Sequence, residues 1–153
     1  MWRQMTLDDI QSVFNIAKEV WARYGETIAI YKNKFVTAPQ GCFVYTVNNN
    51  IKGYVISHPW NIYFHPPLLN TPLIIVEENC WFIHDIVVLP EYRGKGVADE
   101  IIRKILHDNS IVSLVAVNDE SNKTMNFWMN YGFEVCNTYN CSYGIFMIKY
   151  LNK

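Results

Sequence analysis

Paired cysteines, a charge excess of either sign and long apolar runs are all missing from this chain, and each absence closes off a class of function. The four cysteines, Cys42, Cys80, Cys136 and Cys141, form no CxxC pair, and His58, His65, His84 and His107 are scattered, so no metal-ligand spacing is present. Reduced, structural thiols in a cytoplasmic protein are the expectation. The 13 Lys and Arg are balanced by 14 Asp and Glu with no dense basic block, which removes the field expected of a protein that grips nucleic acid by its backbone. Behind Met1-Trp2-Arg3-Gln4 come Asp8 and Asp9 rather than an apolar run, so neither a signal peptide nor a membrane span is expected. Internal repeats and low-complexity linkers are missing too. What remains is half apolar and 15% aromatic over 153 residues, the make-up of one ordered domain spanning 1–153 with a substantial core.

The most informative stretch runs from Trp81 to Leu106. Trp81 to Leu89 is apolar on both alternating faces apart from His84 and Asp85, which predicts a central strand covered on both sides. Pro90 ends it. From Val97 onward Val97, Ile101 and Ile105 recur four apart, with Ala98, Ile102 and Leu106 one residue behind, which predicts a helix. Its polar face offers Asp99/Arg103 and Glu100/Lys104 pairs. Between strand and helix lies Arg93-Gly94-Lys95-Gly96. Backbone N–H groups converging where a helix begins hold phosphate well, and a plain tight turn is the other reading of the same residues. This is not a Walker loop, because Lys and Ser or Thr do not follow Gly96. Nor is it a dinucleotide fingerprint, since Asp99 stands where the third glycine belongs.

Around this unit the chain reads as alternating elements. A short strand at Trp2–Met5 precedes a helix capped by Thr6, with Asp9 at the third helical position, and running to Trp21; Tyr24-Gly25-Glu26 breaks it. A second, poorly capped helix is expected within 26–38 on Ile28, Tyr31 and Phe35. Cys42–Val47 and Gly53–Ser57 form a hairpin about Asn48-Asn49-Asn50. The segment from His58 to Pro72 holds four of the six prolines, together with Trp60, Tyr63 and Phe64, and predicts a rigid aromatic loop. Such a loop either covers the core edge or forms the lip of a pocket, with Trp60 and Phe64 facing a ligand. Leu73–Val76 adds a short strand before Glu77 and Glu78. Ile111–Val117 is a buried parallel strand, Lys123–Tyr131 a helix with Gly132 as its C-terminal cap, and Phe133–Asn137 and Tyr143–Tyr150 a closing hairpin.

Two motifs carry a family likeness. Val88-x-Pro90-x-Tyr92-Arg93-Gly94-Lys95-Gly96-Val97-Ala98 fits an (Arg/Gln)-x-x-Gly-x-(Gly/Ala) loop at Arg93, Gly96 and Ala98, and Phe127-Trp128-x-x-Tyr131-Gly132-Phe133 fits a late helix entering a Gly-Phe strand. With this order of elements, the chain resembles the GCN5-related N-acetyltransferases (GNAT) over its whole length. The resemblance implies an α/β (α+β) fold with a mixed, mostly antiparallel central sheet and helices on both faces. It also implies acetyl-coenzyme A as co-substrate, a primary amine on a small molecule or peptide as acceptor, and a monomer or homodimer. Carried onto this chain, it has backbone N–H groups of Arg93, Gly94, Lys95, Gly96, Val97 and Ala98 hold the pyrophosphate, while the main chain at Val88 pairs with pantetheine.

The chemistry implied is attack of an amine on a thioester, which needs a base. His84 is the first choice, because histidine ordinarily titrates near neutrality. Asp85 is either an alternative base or a buried acceptor, and Glu77 or Glu78 could act from the rim or attract a cationic substrate. Neighbouring strand residues face opposite ways, so one of His84 and Asp85 at most is expected in the cleft. Many family members carry a tyrosine four residues before the glycine of the Gly-Phe pair; here that position is Trp128, whose indole donates a hydrogen bond but no proton. Trp128 then packs on the coenzyme, Tyr131 or Tyr139 supplies the proton, or the thiolate leaves without one. A non-catalytic acyl-coenzyme A binding module is the alternative to an enzyme.

Overall fold

The computed structural model describes residues 1–22 and 25–151. Its centre is one seven-stranded sheet of β1 (Trp2–Gln4), β2 (Cys42–Val47), β3 (Asn50–Trp60), β4 (Cys80–Val88), β5 (Ile111–Val117), β6 (Glu134–Val135) and β7 (Gly144–Tyr150). Spatial order is β1-β2-β3-β4-β5-β7-β6, antiparallel throughout except between β4 and β5. Among the described residues four α-helices accompany it: α1 (Ile10–Val20), α2 (Ile28–Thr37), α3 (Val97–Asp108) and α4 (Lys123–Met129).

Alternation along β3 sorts the core into two layers. Tyr54 and Ile56 point into a cluster with Val13 and Ala17 of α1 and Tyr31 of α2, while Val55 joins Ile101, Ile102 and Ile105 of α3 on the opposite side. The expected mixed sheet, with helices on both faces, is thus present, and β4 lies at its middle. The β2–β3 hairpin turns on Asn48 and Asn49 at φ 51° and 65°, the left-handed pair that matches strand twist. At the end of α4, Gly132 (φ 90°) donates to Met129 O and Phe133 N to Trp128 O, which closes the helix as expected.

Several local expectations are corrected. The second helix is capped after all, since Thr27 Oγ1 accepts from Ile30 N. β3 runs on through His58, Pro59 and Trp60, because β2 pairs no further than Ile56 and leaves the Pro59 side of the strand without a ladder to break. Leu73–Val76 is no strand; 61–79 is one long connection whose Leu73 N donates to Asn33 Oδ1. Lys104 pairs with Asp108 rather than Glu100, whereas the Asp99–Arg103 pair forms. The last hairpin's first strand shrinks to Glu134–Val135. Of the predicted breaker, Tyr24 lies outside the described residues.

Candidate active site

Strands β4 and β5 pair only at Trp81–Ile83 with Val112–Leu114. Beyond Ile83 they part, and the gap opens into a cleft of about 580 Å³ walled by Val87, Val88, the glycine loop, Phe127, Trp128 and Tyr131. Leu89 N donates to Lys52 O on the β3 side, so the main-chain groups of Val88, one residue earlier, face the open edge. The Val88 carbonyl there accepts from Arg93 Nε at 2.7 Å. Arg93 therefore straps the loop to the strand that precedes it.

Gly94 and Gly96 adopt φ 75° and 80°, and a Cβ on either would meet nothing within 4 Å, so positive φ rather than crowding selects glycine and the space above the loop is open. Arg93 N is spent on Pro90 O. The next backbone N–H at this junction to find a carbonyl is that of Glu100, on Gly96 O at 3.2 Å, leaving those of Gly94 through Asp99 without partners among the described residues. Those N–H groups and the positive end of the twelve-residue α3 converge on one open volume, an arrangement that could hold an anion. Trp2 Nε1 fixes its helical side by donating to Val97 O at 2.8 Å.

At the other end of the cleft the strand is irregular. Ile56 pairs with Asp85 and Ser57 with Ile83, so His84 is an extra residue, a β-bulge. The bulge cancels the alternation expected of adjacent residues: His84 and Asp85 both face α1 and α2, and both line a smaller pocket of about 90 Å³ that adjoins the first along Trp21, Ile86, Thr124 and Trp128. The expectation that only one of them reaches the cleft is thereby overturned. His84 Nε2 lies 2.5 Å from Glu26 Oε1, with both side chains under 5% exposed, while its Nδ1 is enclosed without a partner. Asp85 accepts from Tyr54 Oη (2.5 Å), Trp21 Nε1 (2.8 Å) and Tyr31 Oη (3.4 Å). Burial pushes the Asp85 carboxyl up to about 6, against the pull of those donors. Glu26 is driven upward by burial, but His84, Asn70 N–H and Lys34 bring it net below the ordinary carboxylate range. Behind this group Lys34 and His58 are buried with Nζ and Nε2 unpartnered; burial lowers both, His58 to about 3.

Glu26 was not foreseen as a site residue. Only its place in a helix break spoke for it, and a break reads as a loop. Trp128 lines both cavities, packed on Phe133 at 5.4 Å, and its indole N–H has no partner among the described residues. Tyr131 stands at the loop end of the cleft, with Oη on Asp99 Oδ1 at 2.7 Å; burial, then this bond, pushes the phenol up to about 12. Tyr139 Oη donates to Tyr63 O, away from both cavities. Trp60 is buried in a cluster with Cys80 and Phe82, Phe64 leans on it edge-on, and Glu77 and Glu78 are exposed; none of the four lines either cavity. From the proline-rich connection it is Leu69 that reaches the smaller pocket.

Among solved structures the chain is similar to Ard1 from Thermoplasma volcanium, at 18% identity and TM-score 0.76 over 100% of this chain and 98% of that one. It is also similar to a PaiA N-acetyltransferase from Thermoplasma acidophilum in complex with coenzyme A (16%, TM-score 0.66, 99% and 98% covered). A third neighbour is the GNAT-like decarboxylase GphF in complex with isobutyryl-CoA (13%, TM-score 0.81, 99% and 100% covered). At these identities the likeness is one of fold. No curated protein matches the chain in sequence. A family description does: the acetyltransferase (GNAT) family matches residues 5–133, a span holding the split sheet, the glycine loop and the Gly-Phe turn, and the chain belongs to that family.

Proposed function

We propose that the protein transfers an acetyl group from acetyl-coenzyme A to a primary amine. The observation that carries this reading is the continuity of the two cavities: a phosphate cradle and an apolar channel run directly into a pocket floored by Asp85 and the His84–Glu26 pair. The cradle fits the coenzyme's pyrophosphate, the free edge of β4 at Val88 N–H suits the amides of its pantetheine arm, and Val87, Phe127 and Trp128 suit its apolar stretches. Acetyl-coenzyme A supplies an activated thioester carbonyl.

The chain's own contribution is to hold the acceptor and take its proton. An ammonium entering the smaller pocket loses one proton to Asp85, directly or through one water; the neutral amine forms the N–C bond as the C–S bond breaks, and the second proton passes from the product nitrogen to the departing thiolate, through water, as the amide forms. Asp85 is preferred to His84 because one imidazole nitrogen is held by Glu26 and the other is enclosed. A carboxyl near 6 is also well matched to base work at neutral pH. The His84–Glu26 pair then positions the bulge. Trp128 Nε1 can donate to the departing sulfur, whose thiol pKa of about 8.5 lets it leave as thiolate. Four free cysteines agree with a cytoplasmic, reducing setting.

The test is thiol release from acetyl-coenzyme A over a panel of primary amines, for the parent, Asp85→Asn and His84→Ala. Release by the parent and its loss in Asp85→Asn, with coenzyme affinity retained, is the expected result. Coenzyme binding without release on any amine would favour the second reading, a non-catalytic acyl-coenzyme A module, which the tryptophan at position 128 motivates.

A further inference from the structure

The smaller pocket is shaped for a definite kind of acceptor. Its polar lining is acidic: Glu26 and Asp85 contribute carboxylates, His84 is engaged with Glu26, and among the described residues no Lys or Arg lines it. Trp21, Tyr31 and Tyr143 supply aromatic walls. Carboxylates backed by aromatic faces are the surroundings a desolvated ammonium prefers.

Size and closure narrow the choice further. At about 90 Å³ the pocket is far below the roughly 300 Å³ at which ordinary ligand sites begin. Its outer wall is pinned from two sides. Asn70, in a left-handed conformation at φ 60°, donates its N–H to Glu26 Oε2 at 2.7 Å and accepts Thr27 N on Oδ1 at 3.2 Å. Three residues earlier, Pro67 O accepts from Tyr143 Oη at 2.9 Å, beside β7. The segment from Pro67 to Asn70 thus bridges the mouth from the start of α2 to β7, and Leu69 between them faces inward. A peptide would need an open groove there.

We infer, resting on the transferase reading above, that the acceptor is a compact primary monoamine held as its ammonium between Glu26 and Asp85, with Leu69 setting the length admitted. Peptides and long polyamines are excluded.

The experiment compares n-propylamine, spermidine and a hexapeptide with a free N-terminus as acceptors, reading kcat/KM from thiol release. Propylamine should exceed the peptide by about a hundredfold, and Leu69→Ala should shrink that gap about tenfold toward longer amines while coenzyme affinity stays put. A peptide equal to or better than propylamine overturns the inference and leaves the transferase reading intact. A second readout separates the two failures: quenching of tryptophan fluorescence, with Trp21 and Trp128 at the site, by propylammonium against the neutral isostere n-propanol in the presence of coenzyme A. About tenfold tighter binding of the ammonium is expected. Such binding without thiol release from any amine overturns the transferase reading alone. Equal or absent binding of the two probes overturns the inference.

Discussion

Replacing Asp85 by Asn should change how stability depends on pH, by an amount the structure sets. The Asp85 carboxyl lies under the cleft with three donors on it, yet burial dominates and holds it at about 6 against an ordinary value of 3.8. The native state therefore binds this proton more tightly than the unfolded chain does, and the parent loses stability as pH rises from about 4 to about 6, then levels off. A difference of about two pH units at ~1.4 kcal/mol each amounts to roughly 3 kcal/mol. Asn has a similar shape, still accepts from Trp21 or Tyr54, and carries no charge. Urea titrations of parent and Asp85→Asn at about pH 4, 5, 6 and 7.5 give the contribution as a double difference, in which the remaining carboxyls cancel to first order. The parent should fall by about 2 to 3 kcal/mol relative to the variant across that range. A flat double difference, or one in which the parent gains on the variant as pH rises, refutes the reasoning, and with it the claim that Asp85 is tuned toward a base.

Gly96→Ala should cost about 1 to 2 kcal/mol of folding stability from positive φ alone, since no atom blocks the new methyl, while calorimetry shows a larger loss of coenzyme affinity as the cradle shifts. Equal losses would return the loop to a plain turn. Glu26→Ala leaves His84 buried without its partner and should cost about 3 kcal/mol in urea denaturation at neutral pH. In the parent, the stabilisation from Glu26 is present above the ordinary carboxylate range and is lost as pH falls through its lowered folded value, opposite in sign to Asp85. Trp128→Phe keeps the contact with Phe133 and should cost less than about 1.5 kcal/mol, yet slow thiol release by removing the N–H; an unchanged rate would make Trp128 a packing residue only.

The frame of the fold was legible because it rests on periodicity and punctuation. β2 and β5 begin and end where alternation and turn residues place them, and α3 starts at Val97, where the apolar spacing changes from two to four. The glycine loop was legible for a related reason, since two glycines one residue apart before a helix mark backbone that must turn through positive φ. Illegible were features that depend on partners distant in sequence. Nothing local distinguishes a strand that keeps its alternation at His84 from one that slips by a residue there, because the slip is defined by pairing with β3. Glu26 becomes a site residue through His84, 58 positions away. The proline-rich connection misled in the other direction: large aromatics suggested a ligand face, but Trp60 is drawn into the core with Phe82, and the smaller Leu69 faces the pocket.

Both halves of the site follow from β4 changing partners midway. At Ile83 its parallel ladder to β5 stops, which leaves one edge of the strand unpaired and opens the cleft as far as the loop. At the next residue its ladder to β3 skips, which turns the chain so that Asp85 joins His84 on the side of α1 and α2. Had the alternation continued past Ile83, which packs in the α3 layer, His84 would keep its side but Asp85 would face the aliphatic side chains of α3, away from Trp21, Tyr31 and Tyr54. The opening of the cleft and the polar floor beneath it are therefore consequences of adjacent backbone events, at residues 83 and 84. A change that restored regular pairing there would turn Asp85 and its three hydrogen bonds away from the smaller pocket, while leaving the His84–Glu26 pair and the glycine loop downstream in place.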